Sequence, residues 1–172
     1  MKPRIHLWQS DKKIVQDIQR VVKCTDITAT ILANRGLTNG PELQSFLNAT
    51  LADMADPATL ADMDIAADRL TAAVIEKQKI LVFGDYDADG ITAAAILDNF
   101  LRAAGAEVTC HIPHRIMEGY GLKAEQINRL AAAAGIDLVV TVDCGAGSHE
   151  AARACQEAGL DLIITDHHQM TP

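Results

Sequence analysis

The stretch KILVFGDYDADGITAAAIL, residues 79–97, decides how the rest of the chain is read. Its opening run, KILVF, lacks the alternation of a half-buried strand and suits a strand covered on both faces. Three carboxylates, Asp85, Asp87 and Asp89, follow at once, and an alanine-rich helical segment takes over from Ile91. Carboxylates at the rim of a buried strand are costly unless they are paired, protonated or bound to a cation. A positive partner is therefore expected at this strand end.

The same strand and helix unit recurs downstream. AEVTCHI (106–112), DLVVTVD (137–143) and DLIIT (161–165) are continuous apolar runs. ITAAAILDNFLRAAG (91–105), KAEQINRLAAAAG (123–135) and SHEAARACQEAG (148–159) are helical stretches that end on glycine. Such repetition predicts an α/β fold, a mostly parallel Rossmann-like sheet with flanking helices. Upstream, DKKIVQDIQRVVKC places Ile14, Ile18, Val21 and Val22 on one helical face, and LQSFL and DIAADRLTAAVIEK add shorter amphipathic pieces. NRGLTNGPE and ADMADP between them have turn composition. The chain thus divides into a helical N-terminal leader or cap over residues 1–76 and an α/β domain over residues 77–172.

Composition sets the surroundings. With 172 residues, 49% of them hydrophobic, the chain can bury a sizeable core. A formal net charge of -8 argues against a generally basic nucleic-acid surface, while leaving room for a local patch. Cys24, Cys110, Cys144 and Cys155 form no CxxC pair and follow no secretion signal, so a reduced, cytoplasmic protein is expected. No apolar run approaches the roughly 18 residues of a membrane span.

Polar residues gather where an open parallel sheet binds its ligands, at the C-terminal strand ends. Asp85, Asp87 and Asp89 follow the first predicted strand, Asp143 closes the third, and Asp166, His167 and His168 close the fourth. Each has a bland alternative, since an Asp after a strand is often a turn residue or helix cap and adjacent histidines alone say little. Acidic or His residues at three of four strand ends make a stronger pattern than any one of them. Oxygen and imidazole ligands together suit manganese, zinc or iron, and with enough carboxylates magnesium. Several carboxylates within a few ångströms repel one another unless cations lie between them, so a metal pair and phosphoryl chemistry are expected.

In this order, VFGDYDADGITAAAIL, IPHRIMEGYGL, VTVDCG and ITDHH resemble the successive N-terminal motifs of the DHH phosphoesterase family, most closely its RecJ-like branch of single-stranded-DNA-specific exonucleases. TATILANRGL and FLNATLADMADPATLADMDIAADRL resemble the N-terminal cap of that branch. The resemblance implies that Asp87 and Asp89 are metal ligands with Asp85 as acidic support. It implies that Asp143 bridges two metals and that His167 is a ligand. Asp166 and His168 complete the signature, with Asp166 counted at the metal site and His168 on metal or the scissile phosphate. Arg115, after His114, is expected to reach a phosphate, with an ion pair to an acidic neighbour as its structural alternative. Tyr120 is read either as a base-stacking residue or as a loop anchor. Cys144, Gly145 and Gly147 look like a compact turn, with Cys144 a small buried side chain rather than a nucleophile. Trp8, His6, His111 and His149 are read as structural or surface residues.

The activity implied is metal-dependent hydrolysis of single-stranded DNA from a free 5' end, releasing mononucleotides in repair and recombination. Mn2+ or Mg2+, two ions in the complete domain, and helicase or single-strand-binding partners belong to the same implication. Only Gln169, Met170, Thr171 and Pro172 follow the DHH run, whereas the family continues with a further metal-binding aspartate, a linker and a basic second domain. The expectation is a truncated DHH domain, an N-terminal fragment inactive alone. Alternatives are a phosphoesterase of short oligonucleotides or cyclic dinucleotides and a non-catalytic truncated product. A dinucleotide-binding domain ranks last, because no GxGxxG follows the first strand.

Overall fold

The computed structural model describes Arg4 and residues 6–169; Met170, Thr171 and Pro172, at the tail after the DHH run, lie outside the described residues. Two compact units emerge, one ending at Thr59 and the other beginning at Leu60.

The first unit holds α1 (Lys12–Val22), α2 (Asp26–Asn34), α3 (Pro41–Leu47) and two 3-10 turns, Leu51–Asp53 and Pro57–Thr59. Local chemistry sets the helix starts. Asp11 caps α1 by accepting the Lys13 N–H at 2.7 Å, Thr25 caps α2, and α3 opens on Pro41, whose missing N–H costs nothing there. Val15, Ile18, Ala29, Leu32 and Leu43 form the core of this unit. The buried face of α1 therefore runs through Val15 and Ile18, whereas Val21, expected on that face, is exposed. Ile14 and Val22 are half-buried against the same core, so the packed face is the predicted one turned to include Val15 in place of Val21.

The second unit begins with α4 (Met63–Ile75) and continues through β1 (Lys79–Phe83), α5 (Ala88–Ala103), β2 (Glu107–His111), α6 (Ala124–Ala134), β3 (Leu138–Val142), α7 (His149–Glu157) and β4 (Asp161–Thr165). All strand pairings are parallel, in the order β2-β1-β3-β4. Side chains alternate between two apolar layers, as the period of two requires. Ile80, Val82, Leu138, Val140 and Val142 pack with Ala73 of α4 and Ala94 and Leu101 of α5. Leu81, Phe83 and Val139 pack with Ile127 of α6 and with Ala151, Ala154 and Cys155 of α7. The predicted α/β architecture with helices on both faces is what forms.

This strand order has a consequence for function. From β1 the chain moves outward to β2 and then crosses back to β3, so a topological switch point lies between the adjacent C-terminal ends of β1 and β3. Open parallel sheets bind ligands in that crevice.

Candidate metal centre

The register that pairs Phe83 with Thr141 and Val142 with Thr165, continued past the strand ends, sets Asp85, Asp143 and Asp166 in one row. The backbone keeps part of that pairing, because the Asp143 N–H donates to the Thr165 carbonyl at 2.9 Å. A single sheet edge thus collects residues from three separated stretches of sequence.

Asp85 is buried, and its carboxylate accepts the N–H of Tyr86 at 2.7 Å. Asp87 is the N-cap of α5, its Oδ1 accepting the N–H groups of Asp89 and Gly90, both at 3.0 Å. The helix therefore starts at Ala88, earlier than the apolar periodicity from Ile91 indicated, and Asp89 sits in its first turn. Two glycines make this approach of helix to strand feasible. A Cβ on Gly90 would lie 2.5 Å from the Asp85 nitrogen and 2.6 Å from its Cα, and one on Gly84 would lie 2.7 Å from Ile112 Cδ1. Neither position has room for a side chain.

Asp143 adopts a left-handed backbone, φ 63°, which Asp tolerates better than most residues. Its Oδ1 lies 3.0 Å from His167 Nε2. Burial, reinforced by Asp87 and then opposed by His167 and His168, holds its pKa above the ordinary carboxylate value. Carboxylates crowded in this way repel one another, and the two histidines offset that only in part.

Asp166 turns its carboxylate to other work. One oxygen accepts the Ala146 N–H at 2.9 Å; the other accepts the His168 N–H at 3.0 Å and faces His168 Nδ1 at 2.7 Å. Burial opposes its charge, but these bonds outweigh it and leave the Asp166 pKa lowered. Conversely, the bond to Asp166 raises the pKa of His168. With Nδ1 engaged by the carboxylate, His168 presents Nε2 as its remaining ring nitrogen.

Two groups of candidate ligands result, each with its ligand atoms within 4.8 Å of one another: Asp85, Asp87 and Asp143, and Asp143, His167 and His168. Asp143 belongs to both. Asp89 is in neither, but lines the open cleft beside them with Ala93, Asp143, Thr165, Asp166 and His167. No cationic Lys or Arg side chain lines that cleft among the described residues.

Arg115 lies over the Tyr86 ring, 5.2 Å from its centroid, and makes no ion pair among the described residues. Tyr120 meets Tyr86 and His168 edge-on, and its hydroxyl lies 3.3 Å from His168 Nδ1. Burial, with Asp166 and Asp85 adding, pushes the Tyr120 phenol up to about 12, so it stays protonated at neutral pH. Cys144 is fully buried and its thiol is likewise pushed to about 12 by burial, which fits an inert packing residue. Sequence reasoning gives no role to Tyr86 or Glu118. Tyr86 lies inside the GDYDADG stretch, where its acidic neighbours dominate the signal, whereas the ion-pair partners of Glu118, His111 and Arg129, come from β2 and α6 and leave no local trace.

Comparison with known proteins gives the family of the chain. Residues 79–172 match the model of the DHH family, N-terminal domain. The single-stranded-DNA-specific exonuclease RecJ of Bacillus subtilis (strain 168) is 36% identical over 171 residues, which is 99% of this chain and 22% of that protein. A crystal structure of exonuclease RecJ bound to manganese has 43% identity and a TM-score of 0.62, covering 66% of this chain and 29% of the other. One of RecJ in complex with Mn2+ from Thermus thermophilus has 30% identity and a TM-score of 0.60, covering 96% of this chain and 22% of the other. With the family match spanning more than half its length, the chain belongs to the DHH family.

Proposed function

We propose that the clustered strand ends form a two-cation phosphoesterase centre, and that the chain contributes it to a 5'-to-3' exonuclease acting on single-stranded DNA. The observation that carries this reading is the sharing of Asp143 between two ligand groups, one all carboxylate and one mixed with imidazole. That donor set fits Mn2+ or Mg2+, and the burial that raises the Asp143 pKa, with Asp87 adding to it, fits a site built around added positive charge. The RecJ relatives are named as exonucleases for single-stranded DNA, and solved RecJ structures hold manganese.

In this reading Asp85, Asp87 and Asp143 hold one cation, and Asp143, His167 and His168 the other, with Asp89 beside them in the cleft. Bound divalent ions would neutralise phosphate charge and acidify water for in-line attack. The chain itself supplies the geometry. Asp166 fixes the ring of His168, the α5 cap fixes Asp87, and Arg115 stands where it can leave Tyr86 for a phosphate. Among the described residues no helix is long and apolar enough to cross a membrane, and we place the protein with its DNA substrate in the cytoplasm.

Single-turnover assays with Mn2+ on end-labelled single-stranded, duplex and dinucleotide substrates test the proposal, with Asp143→Ala as control. They should be run on the chain alone and on a version extended to the length of its relatives. Mononucleotides released from the 5' end of unpaired DNA are expected from the extended protein. Preference for dinucleotides would assign the centre to short substrates instead.

A further inference from the structure

The loop between β2 and α6 carries Tyr120, whose hydroxyl lies 3.3 Å from the candidate ligand His168, and Arg115, which lies over Tyr86, the residue between Asp85 and Asp87 in sequence; neither belongs to a ligand group. A segment of this length without regular structure loses much conformational entropy on being fixed, so something must hold it. One side chain does so. Glu118 Oε2 accepts the His114 N–H at 2.8 Å, and Oε1 lies 2.6 Å from Arg129 Nη2 on α6 and 3.3 Å from His111 Nε2 at the end of β2. Gln126 Nε2 reaches the same oxygen at 3.5 Å. The backbone closes the same knot, with the Glu118 and Gly119 N–H groups donating to the His114 carbonyl and Lys123 Nζ donating to the Glu118 carbonyl. These bonds, the His114 N–H first and Arg129 second, lower the Glu118 carboxyl to about 2.

We infer that Glu118 is a positioning residue that holds Tyr120 against His168 and Arg115 over Tyr86. Tyr120 is two residues beyond Glu118, between Gly119 and Gly121, both left-handed at φ 75° and 78°. These glycines turn the chain on either side of Tyr120, so its ring direction follows from where Glu118 anchors the loop. Arg115 directly follows His114, the residue Glu118 grips. The anchor touches no candidate ligand, and it acts on the site only through the loop. Its consequence for nucleic acid rests on the function proposed above, while the positioning itself does not.

The test compares wild type, Glu118→Ala, Glu118→Gln and Arg129→Ala, read by proton NMR contacts between the Tyr120 and His168 rings and by affinity for Mn2+ and for a 5'-phosphorylated oligothymidylate. Loss of the ring contact with Mn2+ affinity unchanged, and roughly tenfold weaker oligonucleotide binding, is expected, since small displacements of positioning groups have effects of this order or larger. The weakening should not add to that of an Arg115→Ala, Tyr120→Ala double variant, because the effect passes through those side chains. Retained ring contact in both Glu118 variants, or full additivity, overturns the inference. Arg129→Ala keeps the test decisive if the Glu118 variants fail to fold. Absence of Mn2+ and oligonucleotide binding in wild type would sink the proposed function, while the ring contact still decides the role of Glu118.

Discussion

Asp143 Oδ1 stands 3.0 Å from His167 Nε2, which ties the end of β3 to the chain leaving β4. The pair depends on the left-handed turn at Asp143, a conformation that costs an L-residue about 1–2 kcal/mol and that Asp offsets better than most.

Removing the Asp143 carboxylate should weaken cation binding more than removing Asp89, because Asp143 serves both ligand groups. Titration calorimetry with Mn2+ is expected to show about 10- to 100-fold loss for Asp143→Asn, the range given by one charge-assisted contact of roughly 1.5–3 kcal/mol. Without metal, the same substitution acts on folding with the opposite sign. The pKa of Asp143 is raised, so its charge opposes folding once pH exceeds that pKa. Metal-free Asp143→Asn should therefore be at least as stable as wild type at about pH 7 in urea titrations.

His168 gives the pH dependence. Its pKa is raised, first by the bond to Asp166, so the pair stabilises the metal-free fold below about pH 6.5 and loses that contribution as pH rises through the folded value. Asp166, with its pKa lowered, limits the window on the acid side, its contribution fading as pH falls through its own folded value. NMR titration should place the His168 midpoint above about 6.5 in wild type and lower it in Asp166→Asn. Cation binding requires the neutral ring, so Mn2+ affinity should fall on acidification from a higher pH than a free imidazole predicts.

Gly90→Ala tests the approach of α5 to β1. The new Cβ would sit 2.5 Å from the Asp85 backbone nitrogen, a contact only movement of the helix can relieve. Overpacking of this kind costs about 1–3 kcal/mol. Thermal melts should show the loss of stability, and calorimetry a parallel loss of Mn2+ affinity, because the helix that moves carries Asp87 and Asp89.

Net charge governs DNA capture. At -8 the chain should bind a short oligothymidylate weakly and in a salt-dependent manner. Mn2+ should tighten that binding by neutralising the carboxylate row, and Asp143→Ala should abolish the increment in fluorescence anisotropy measurements.

Much of this molecule is legible in short windows of sequence. The runs KILVF, DLVVTVD and DLIIT announce buried strands through their unbroken apolar character, and the alanine-rich stretches between them announce helices. Such signals are local, fixed by the period of side chains along a few turns or pleats. Parallel strands joined by helices then place Asp85, Asp143 and Asp166 at the same end of the sheet, so the edge carrying the candidate site follows from sequence order alone. Which side chains meet there does not. The order β2-β1-β3-β4 and its register put Asp85 among the clustered carboxylates, leave Asp89 on the cleft rim and turn Asp166 toward His168. Arg115 over Tyr86, and Glu118 gripping both ends of its loop, depend on contacts between β2, α6 and the loop that no local period encodes. Periodicity determines what each segment becomes, and only long-range packing decides which functional groups come within bonding distance.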